Sequence, residues 1–195
     1  ELAEESDLES AIDSLQPNIL IGVSGQGGAF SEPIVRKMGE INNRPIIFAL
    51  SNPTSKSECT AEQAYTWTEG KAIFVSGSPF NPVTYEENTF SPGQGNNAYI
   101  FPGVGLGIVV SKSSQVTDDM FIAAADTLAE LVSEEDLAKG RLYPSLVKIR
   151  EISCKIAVNV AKQAFENHIA RVPQPENLEK CVRDSMFLPK YKTFV

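Results

Sequence analysis

Three uninterrupted apolar runs, each followed by a polar turn and then by a helical pattern, constrain the fold of this 195-residue chain. The runs occupy residues 18–23, 45–50 and 72–75. Runs without polar alternation are typical of strands that are buried in a parallel sheet. Helical patterns precede or separate the runs at residues 7–16, 31–38 and 60–70. The alternation therefore predicts an α/β fold built on a parallel sheet.

The turns that follow the predicted strands are rich in polar and small residues. They lie at residues 23–28, 50–54 and 75–79. Right-handed crossovers place the carboxyl ends of parallel strands at the same edge of a sheet, and open α/β sheets bind ligands along that edge. We therefore expect the three turns to form one wall of a binding site.

The rest of the chain changes in character after residue 76. Residues 77–97 contain three prolines and little periodicity, which predicts a long loop with one short hairpin. Helices are expected at residues 103–111, 118–132, 134–139, 145–168 and 177–182. We expect Thr117 to cap the second of these helices. The domain organisation predicted from these patterns is 1–112, 113–172 and 173–195.

A glycine-rich loop at residues 92–103 carries two adjacent amides, Asn96 and Asn97. An asparagine offers a donor and an acceptor but does not titrate, so this loop can hold a carboxylate or a carboxamide and cannot move protons. Asn52, which directly follows the second strand, has the same chemistry. All three residue positions are also typical of ordinary turns, and the pattern alone leaves both interpretations open.

The turn at residues 22–28 has the glycines of a phosphate-binding loop without its full spacing. Phe30 stands where a third glycine is required, and the next strand ends in Ser51 and Asn52 rather than in an acidic residue for a ribose hydroxyl. The better interpretation is a later strand–helix turn of a dinucleotide domain, which contacts the cofactor through backbone and small side chains.

Composition excludes several classes of function. The net charge of −8 argues against nucleic-acid and anionic-membrane partners, which require clustered lysine and arginine. The three cysteines form no C-x-x-C motif, and His168 is the single histidine, so neither a metal-ligand set nor a catalytic triad stands out. The longest apolar run, residues 98–110, is too short for a membrane span. Without a targeting pattern at residues 1–7 we expect a cytoplasmic protein; a mitochondrial or plastid location stays open.

Several of these segments resemble the C-terminal part of malic enzymes. The matching blocks are residues 19–25, 45–54, 58–62, 76–80, 92–104 and 140–144, and the likeness extends from the first residues to about Pro175. The resemblance implies the C-terminal half of a Rossmann-like parallel-sheet NAD(P)-binding domain, followed by a helical C-terminal region. It also implies an enzyme for the oxidative decarboxylation of L-malate to pyruvate and CO2, with NAD or NADP and with Mg²⁺ or Mn²⁺.

The resemblance also implies roles for residues of this chain. Asn52 and Asn97 would hold carboxylate oxygens of malate, and Asn96 would lie near the nicotinamide amide. The residues that would line the cofactor cleft are Val23, Ser24, Leu50 and Ser51. The family's catalytic Tyr and Lys, its substrate-binding Arg, its metal ligands and its phosphate-binding loop precede the matching segment, so no catalytic or metal-binding residue is assigned here.

Two functions are therefore expected from the sequence. The first is the cofactor- and substrate-binding part of a malic enzyme, inactive by itself and homo-oligomeric when complete. The alternative is a non-catalytic interaction or scaffold module that keeps the NAD(P)-binding fold. The choice between NAD and NADP cannot be read from the sequence, because the contact with the ribose 2′ position lies on a strand before the matching segment.

Overall fold

The computed structural model describes residues 7–189, so the ends of the expected segments 1–112 and 173–195 lie outside the described residues. The elements follow in this order: α1 Leu8–Leu15, β1 Ile19–Gly22, α2 Glu32–Ile41, β2 Ile46–Ala49, α3 Ala61–Trp67, β3 Ile73–Ser76, β4 Val83–Tyr85, β5 Asn88–Phe90, β6 Gly93–Gln94, α4 Phe101–Ser111, α5 Asp118–Glu130, α6 Glu134–Ala138, α7 Ile149–Glu166 and α8 Leu178–Ser185.

Four strands form one parallel sheet in the order β1-β2-β3-β6. Ile46 in β2 lies opposite Ile19 in β1 and opposite Ile73 in β3, so the first three strands are in register at their amino ends. The parallel α/β architecture expected from the apolar runs is confirmed.

Local capping explains where the helices around the sheet begin. The Asp7 carboxylate accepts from Ser10 N at 2.9 Å at the start of α1. Thr60 and Gln63 form a capping box at the start of α3, in which each side chain accepts from the other residue's backbone N–H. These side chains satisfy backbone donors that the first turn of a helix leaves without a partner.

The core of the sheet lies on the face that α1, α2 and α3 cover. Its strand members include Leu20, Ile47 and Phe74, which pack with the apolar faces of the three helices. Tyr65 of α3 stacks on Phe90 at a centroid distance of 4.5 Å, which packs the β4–β5 hairpin against the same core.

The expectation that β1 is a buried strand is wrong for one of its faces. Leu20 is buried, whereas Ile19 and Ile21 on the opposite face are 49% and 57% exposed. Within the described residues β1 is the edge strand of the sheet, so it has a strand neighbour on one side only. An uninterrupted apolar run therefore did not guarantee burial on both faces.

The loop after β3 contains more structure than its sequence indicates. The expected hairpin is confirmed as the antiparallel pair β4 and β5. The strand β6 was not expected, because its two residues, Gly93 and Gln94, carry no apolar signal. It pairs in parallel with the end of β3, and it carries the start of the glycine-rich loop to the edge of the sheet.

The chain divides into two compact units. Of the described residues, the first comprises 7–96 together with Ser133–Tyr143, and the second comprises Asn97–Val132 together with 144–189. The helix α6 therefore belongs with the sheet. The segments 1–112, 113–172 and 173–195 follow the composition along the chain rather than these units, and they stay predictions about domain organisation.

The second unit packs helices around α7. Asn159 of α7 donates to the Thr127 hydroxyl of α5 at 2.7 Å, and the Tyr99 hydroxyl donates to Pro144 O at 2.6 Å. Thr117 lies at the expected start of α5, but its side chain makes no capping hydrogen bond, and its hydroxyl oxygen is buried without a partner among the described residues. No helix within residues 7–189 is long and apolar enough to cross a membrane.

Candidate functional site

The parallel ladder continues one residue past each strand, which brings the strand-end loops side by side. Three backbone hydrogen bonds connect them: Leu50 N to Gly22 O at 2.9 Å, Gly77 N to Ala49 O at 3.2 Å and Gly95 N to Ser76 O at 2.9 Å. The loops after β1, β2, β3 and β6 are therefore neighbours at the carboxyl edge of the sheet. This is the edge at which open α/β sheets bind their ligands.

A buried glutamate joins the first two of these loops. Glu58 is 0% exposed, and its carboxylate accepts from the backbone N–H of Ser24 at 3.0 Å and from that of Ser51 at 3.3 Å. It also accepts from both serine hydroxyls, at 3.1 Å from Ser24 and over a very short distance from Ser51. The loops after β1 and β2 are thus held by one acceptor.

The hydrogen bonds decide the ionisation of Glu58. Burial by itself would raise the pKa of this carboxyl, but the Ser51 hydroxyl and the backbone amides around the carboxylate outweigh it and lower the pKa below its ordinary value of 4.5. Glu58 is therefore a carboxylate at neutral pH, stabilised by dipoles rather than by a counter-ion.

Glycine is required where β1 passes Glu58. A Cβ atom at Gly22 would lie 2.5 Å from Glu58 Cγ and 2.7 Å from the tip of the Phe30 ring. No side chain fits at such distances without displacing the carboxylate. Gly22 therefore belongs to the packing of this site and is not a sign of a phosphate-binding loop.

The amide of Asn52 is fixed by its neighbours. Its Oδ1 accepts from the Ser78 hydroxyl at 2.5 Å, and its Nδ2 donates to Leu50 O at 3.3 Å. The peptide bond between Asn52 and Pro53 is cis. Because Leu50 O can only accept, it identifies the end of the amide that carries the nitrogen, and the second N–H of Nδ2 is the donor that Asn52 could offer to a ligand.

The sheet permits this pairing because a glycine, Gly77, directly follows β3. A Cβ atom at Gly77 would lie 2.2 Å from Leu50 O and 2.7 Å from Asn52 Nδ2. Gly77 therefore allows the loop after β3 to approach the loop after β2 closely enough for Ser78 to contact Asn52.

The structure places the expected site residues in two groups. Six lie in the edge loops of the first unit: Val23, Ser24, Leu50, Ser51, Asn52 and Asn96. Asn97 begins the second unit, in the short 3-10 helix Asn97–Tyr99. Val23 is 75% exposed, and the hydroxyls of Ser24 and Ser51 bond to Glu58, so their side chains serve the shape of the loops.

The sequence patterns did not single out Glu58, and they placed Ser78 only within the turn at residues 75–79. No periodicity or motif marks Glu58, which stands between a loop and a helix cap. One signal was available: it is an acidic residue that follows a strand-end loop whose serines can donate hydrogen bonds.

Few titrating groups of the described chain could do acid–base chemistry at this edge. Cys59 is buried, and burial together with the neighbouring Glu58 raises the pKa of its thiol to about 12, so it stays protonated. Within residues 7–189 no three His, Cys, Asp or Glu side chains cluster as a metal site. A cavity of about 490 Å³ beside Arg44, Lys71 and Lys139 lies at the amino ends of β2 and β3, at the opposite edge.

A parallel sheet with small polar loops at the carboxyl ends of its strands is the geometry of a nucleotide-binding α/β domain. A family model described as "Malic enzyme, NAD binding domain" matches residues 1–165. The chain therefore belongs to the malic enzyme family, as the sequence blocks indicated.

Relatives and solved structures agree with this family. The chain is 52% identical over 189 residues to "NADP-dependent malic enzyme 4, chloroplastic" of Arabidopsis thaliana, covering 96% of this chain and 29% of that one. It is 51% identical over 197 residues to the NADP-dependent malic enzyme of Columba livia, covering 100% of this chain and 35% of that one. The structure of the malic enzyme of Entamoeba histolytica matches with a TM-score of 0.65 at 26% identity, over 86% of this chain and 30% of that one. The chain thus spans about a third of the length of these relatives.

Proposed function

We propose that this chain is the part of a malic enzyme that binds nicotinamide dinucleotide and malate during the oxidative decarboxylation of L-malate to pyruvate and CO2. The observation that supports the proposal best is the fixed amide of Asn52, which lies next to the loops assigned to the cofactor. Asn97 is proposed to hold malate with it, and Asn96 is proposed to meet both ligands, close to the nicotinamide amide.

Asn52 suits a carboxylate for a physical reason. Ser78 occupies its oxygen and Leu50 O occupies one N–H, so a ligand meets a donor. A hydrogen bond from a neutral amide to a carboxylate contributes about 1.5–3 kcal/mol. The amide does not ionise near neutral pH, so it can orient malate without competing for the proton that the reaction moves.

The edge loops suit a dinucleotide. The Ser24 and Ser51 hydroxyls are bonded to Glu58, and the loops present backbone and the apolar side chain of Val23 to a ligand. NAD or NADP held along these loops would supply the acceptor for the hydride of malate. NADP is favoured, because the relatives described above are named NADP-dependent.

Metal chemistry is not assigned to the residues of this chain. Since the described residues offer no cluster of metal ligands, we derive no step through a metal ion. The Mg²⁺ or Mn²⁺ of the complete enzyme is proposed to be held by residues outside the chain, as are its catalytic Tyr and Lys. We further propose that the complete protein is a homo-oligomer in the cytoplasm; the plastid is the competing location, since one relative is named chloroplastic.

Assays of the complete reading frame test the proposal. The purified protein is supplied with L-malate, Mn²⁺ and either NADP or NAD, and pyruvate and reduced cofactor are measured. We expect malate-dependent formation of both in equal amounts, lost on Asn52→Ala and retained by Asn43→Ala, an exposed asparagine at the opposite edge of the sheet. A complete protein that reduces neither cofactor in the presence of malate would contradict the proposal and favour the scaffold alternative.

A further inference from the structure

We propose that Glu58 is a positioning residue for the dinucleotide, whose ionised carboxylate holds the loops after β1 and β2 in the arrangement that receives the cofactor. This inference rests on the proposed function. Glu58 does not touch the proposed ligands itself; it acts through Ser24 and Ser51.

The first support is the number and origin of its hydrogen bonds. Two donors come from Ser24 and two from Ser51, so each loop contributes one backbone N–H and one hydroxyl. A carboxylate can accept all four because both of its oxygens are acceptors only. A glutamine of the same shape would present an NH2 group to one of the loops, where donors already point.

The second support is the direction of the hydrogen bonds around Ser51. Its hydroxyl donates its proton to Glu58, and its oxygen accepts from Gly25 N at 2.8 Å. Two successive hydrogen bonds therefore run from Gly25 in the first loop to Ser51 in the second loop, and from Ser51 to the buried Glu58 carboxylate. Loss of that charge removes the acceptor that orients the Ser51 hydroxyl.

The third support is that Glu58 is itself held against the turn after β1. Its carbonyl oxygen accepts from Phe30 N at 3.0 Å, and Ser57 O accepts from Gly28 N at 3.2 Å. The backbone at Glu58 is thus attached to the turn after β1, and the Glu58 carboxylate reaches the loop after β2 through Ser51. Its four side-chain hydrogen bonds come from uncharged groups, so the full charge is balanced by the loops whose shape it sets.

The test compares Glu58→Gln with Glu62→Gln in the complete protein; Glu62 is an exposed glutamate of the same region, on α3. Binding of NADPH is followed by its fluorescence, and KM and kcat are measured separately for cofactor and malate. We expect Glu58→Gln to raise the Kd of NADPH and the KM of the cofactor about tenfold, with a smaller change in kcat, as the loss of one hydrogen bond to a charged group predicts. Glu62→Gln should match the wild type.

Ser24→Ala keeps the test decisive if Glu58→Gln does not fold. Without cofactor, this variant should increase amide hydrogen exchange at residues 50–52, on the far side of Glu58, which a serine that served the cofactor alone would not do. A folded Glu58→Gln that binds NADPH within about twofold of the wild type, or unchanged exchange at residues 50–52 in Ser24→Ala, overturns the inference.

The binding measurement separates this inference from the proposed function. A wild type that binds NADPH and does not oxidise malate contradicts the proposed function, and a weakened Glu58→Gln in that protein still supports the positioning role. Where the wild type binds NADH rather than NADPH, the same comparison is made with NADH, and a wild type that binds neither overturns both.

Discussion

The Ser78 hydroxyl donates to Asn52 Oδ1 over 2.5 Å, and this hydrogen bond joins the loop after β3 to the loop after β2. It fixes the orientation of an amide that is exposed and would otherwise rotate. The sequence separation of 26 residues is bridged because the two strands are neighbours in the parallel sheet. The amide of Asn52, the proposed ligand of malate, is therefore already oriented by the protein itself.

Removing the Ser78 hydroxyl should weaken malate binding more than turnover. In the complete enzyme we expect Ser78→Ala to raise the KM for malate about three- to tenfold, since a neutral hydrogen bond contributes about 0.5–1.5 kcal/mol. Steady-state kinetics at saturating cofactor measure the effect. Ser114→Ala, at an exposed serine of the second unit, is the matched control and should behave as the wild type. An unchanged malate KM in Ser78→Ala would show that Asn52 needs no support.

Substitutions of the adjacent residues Asn96 and Asn97 should affect the kinetics of different ligands. Asn97→Ala is expected to raise the malate KM and lower kcat, by about tenfold in kcat/KM, because an amide–carboxylate hydrogen bond is lost. Asn96→Ala is expected to act mainly on the KM of the cofactor. Kinetics with each substrate varied in turn distinguish the two variants. A malate response of Asn97→Ala equal to that of the wild type would refute its assigned role.

Gly77 should be intolerant of even one extra carbon. Because the Cβ atom of an alanine there would lie 2.2 Å from Leu50 O, we expect Gly77→Ala to lower the free energy of unfolding by about 1–3 kcal/mol. Gly105→Ala is the matched control, since Gly105 lies within α4 and a Cβ atom added there would meet no atom within 4 Å outside the neighbouring turns of its own helix. It should raise stability by up to about 1 kcal/mol through helix propensity. Urea unfolding measures both, and a neutral Gly77→Ala would contradict the close approach of the two loops.

The ionisation of Glu58 predicts a pH dependence of stability. Its pKa is lower in the folded protein than the ordinary value of 4.5, so the folded state binds this proton less readily than the unfolded chain. Its contribution is present above that ordinary value and is lost as pH falls through the folded-state pKa. We expect the difference in unfolding free energy between wild type and Glu58→Gln to be constant near neutral pH and to shrink below about pH 4. Cys59 stays protonated throughout. A difference that does not change on acidification would mean that folding does not lower the pKa of Glu58.

The isolated chain should lack the complete reaction. We expect no pyruvate from the purified 195-residue chain supplied with L-malate, NAD or NADP and Mn²⁺, because its described residues contain no metal-ligand cluster and the edge loops supply no acid–base pair. A coupled assay for pyruvate, with the complete protein as the positive control, measures this. Sustained malate-dependent pyruvate formation by the isolated chain would refute the prediction.

Local sequence was sufficient for much of the fold. The apolar runs at Ile19–Gly22, Ile46–Ala49 and Ile73–Ser76 became the parallel strands, because a short run of branched apolar residues has few other ways to satisfy its backbone and bury its side chains. The helix that Thr60 begins was also readable, since a capping box acts within four residues. The strand β6 was not readable, because its pairing partner lies in β3 and its own residues carry no preference.

By itself, the sequence determined the α/β class, the edge of the sheet where polar loops gather and the family. The tertiary structure alone decided what the polar residues of those loops contact. It turned Ser24 and Ser51 toward Glu58 and oriented Asn52 by Ser78. The physical reason is that a hydrogen bond between loops depends on strand register and on close approach at Gly22 and Gly77, which no local pattern encodes.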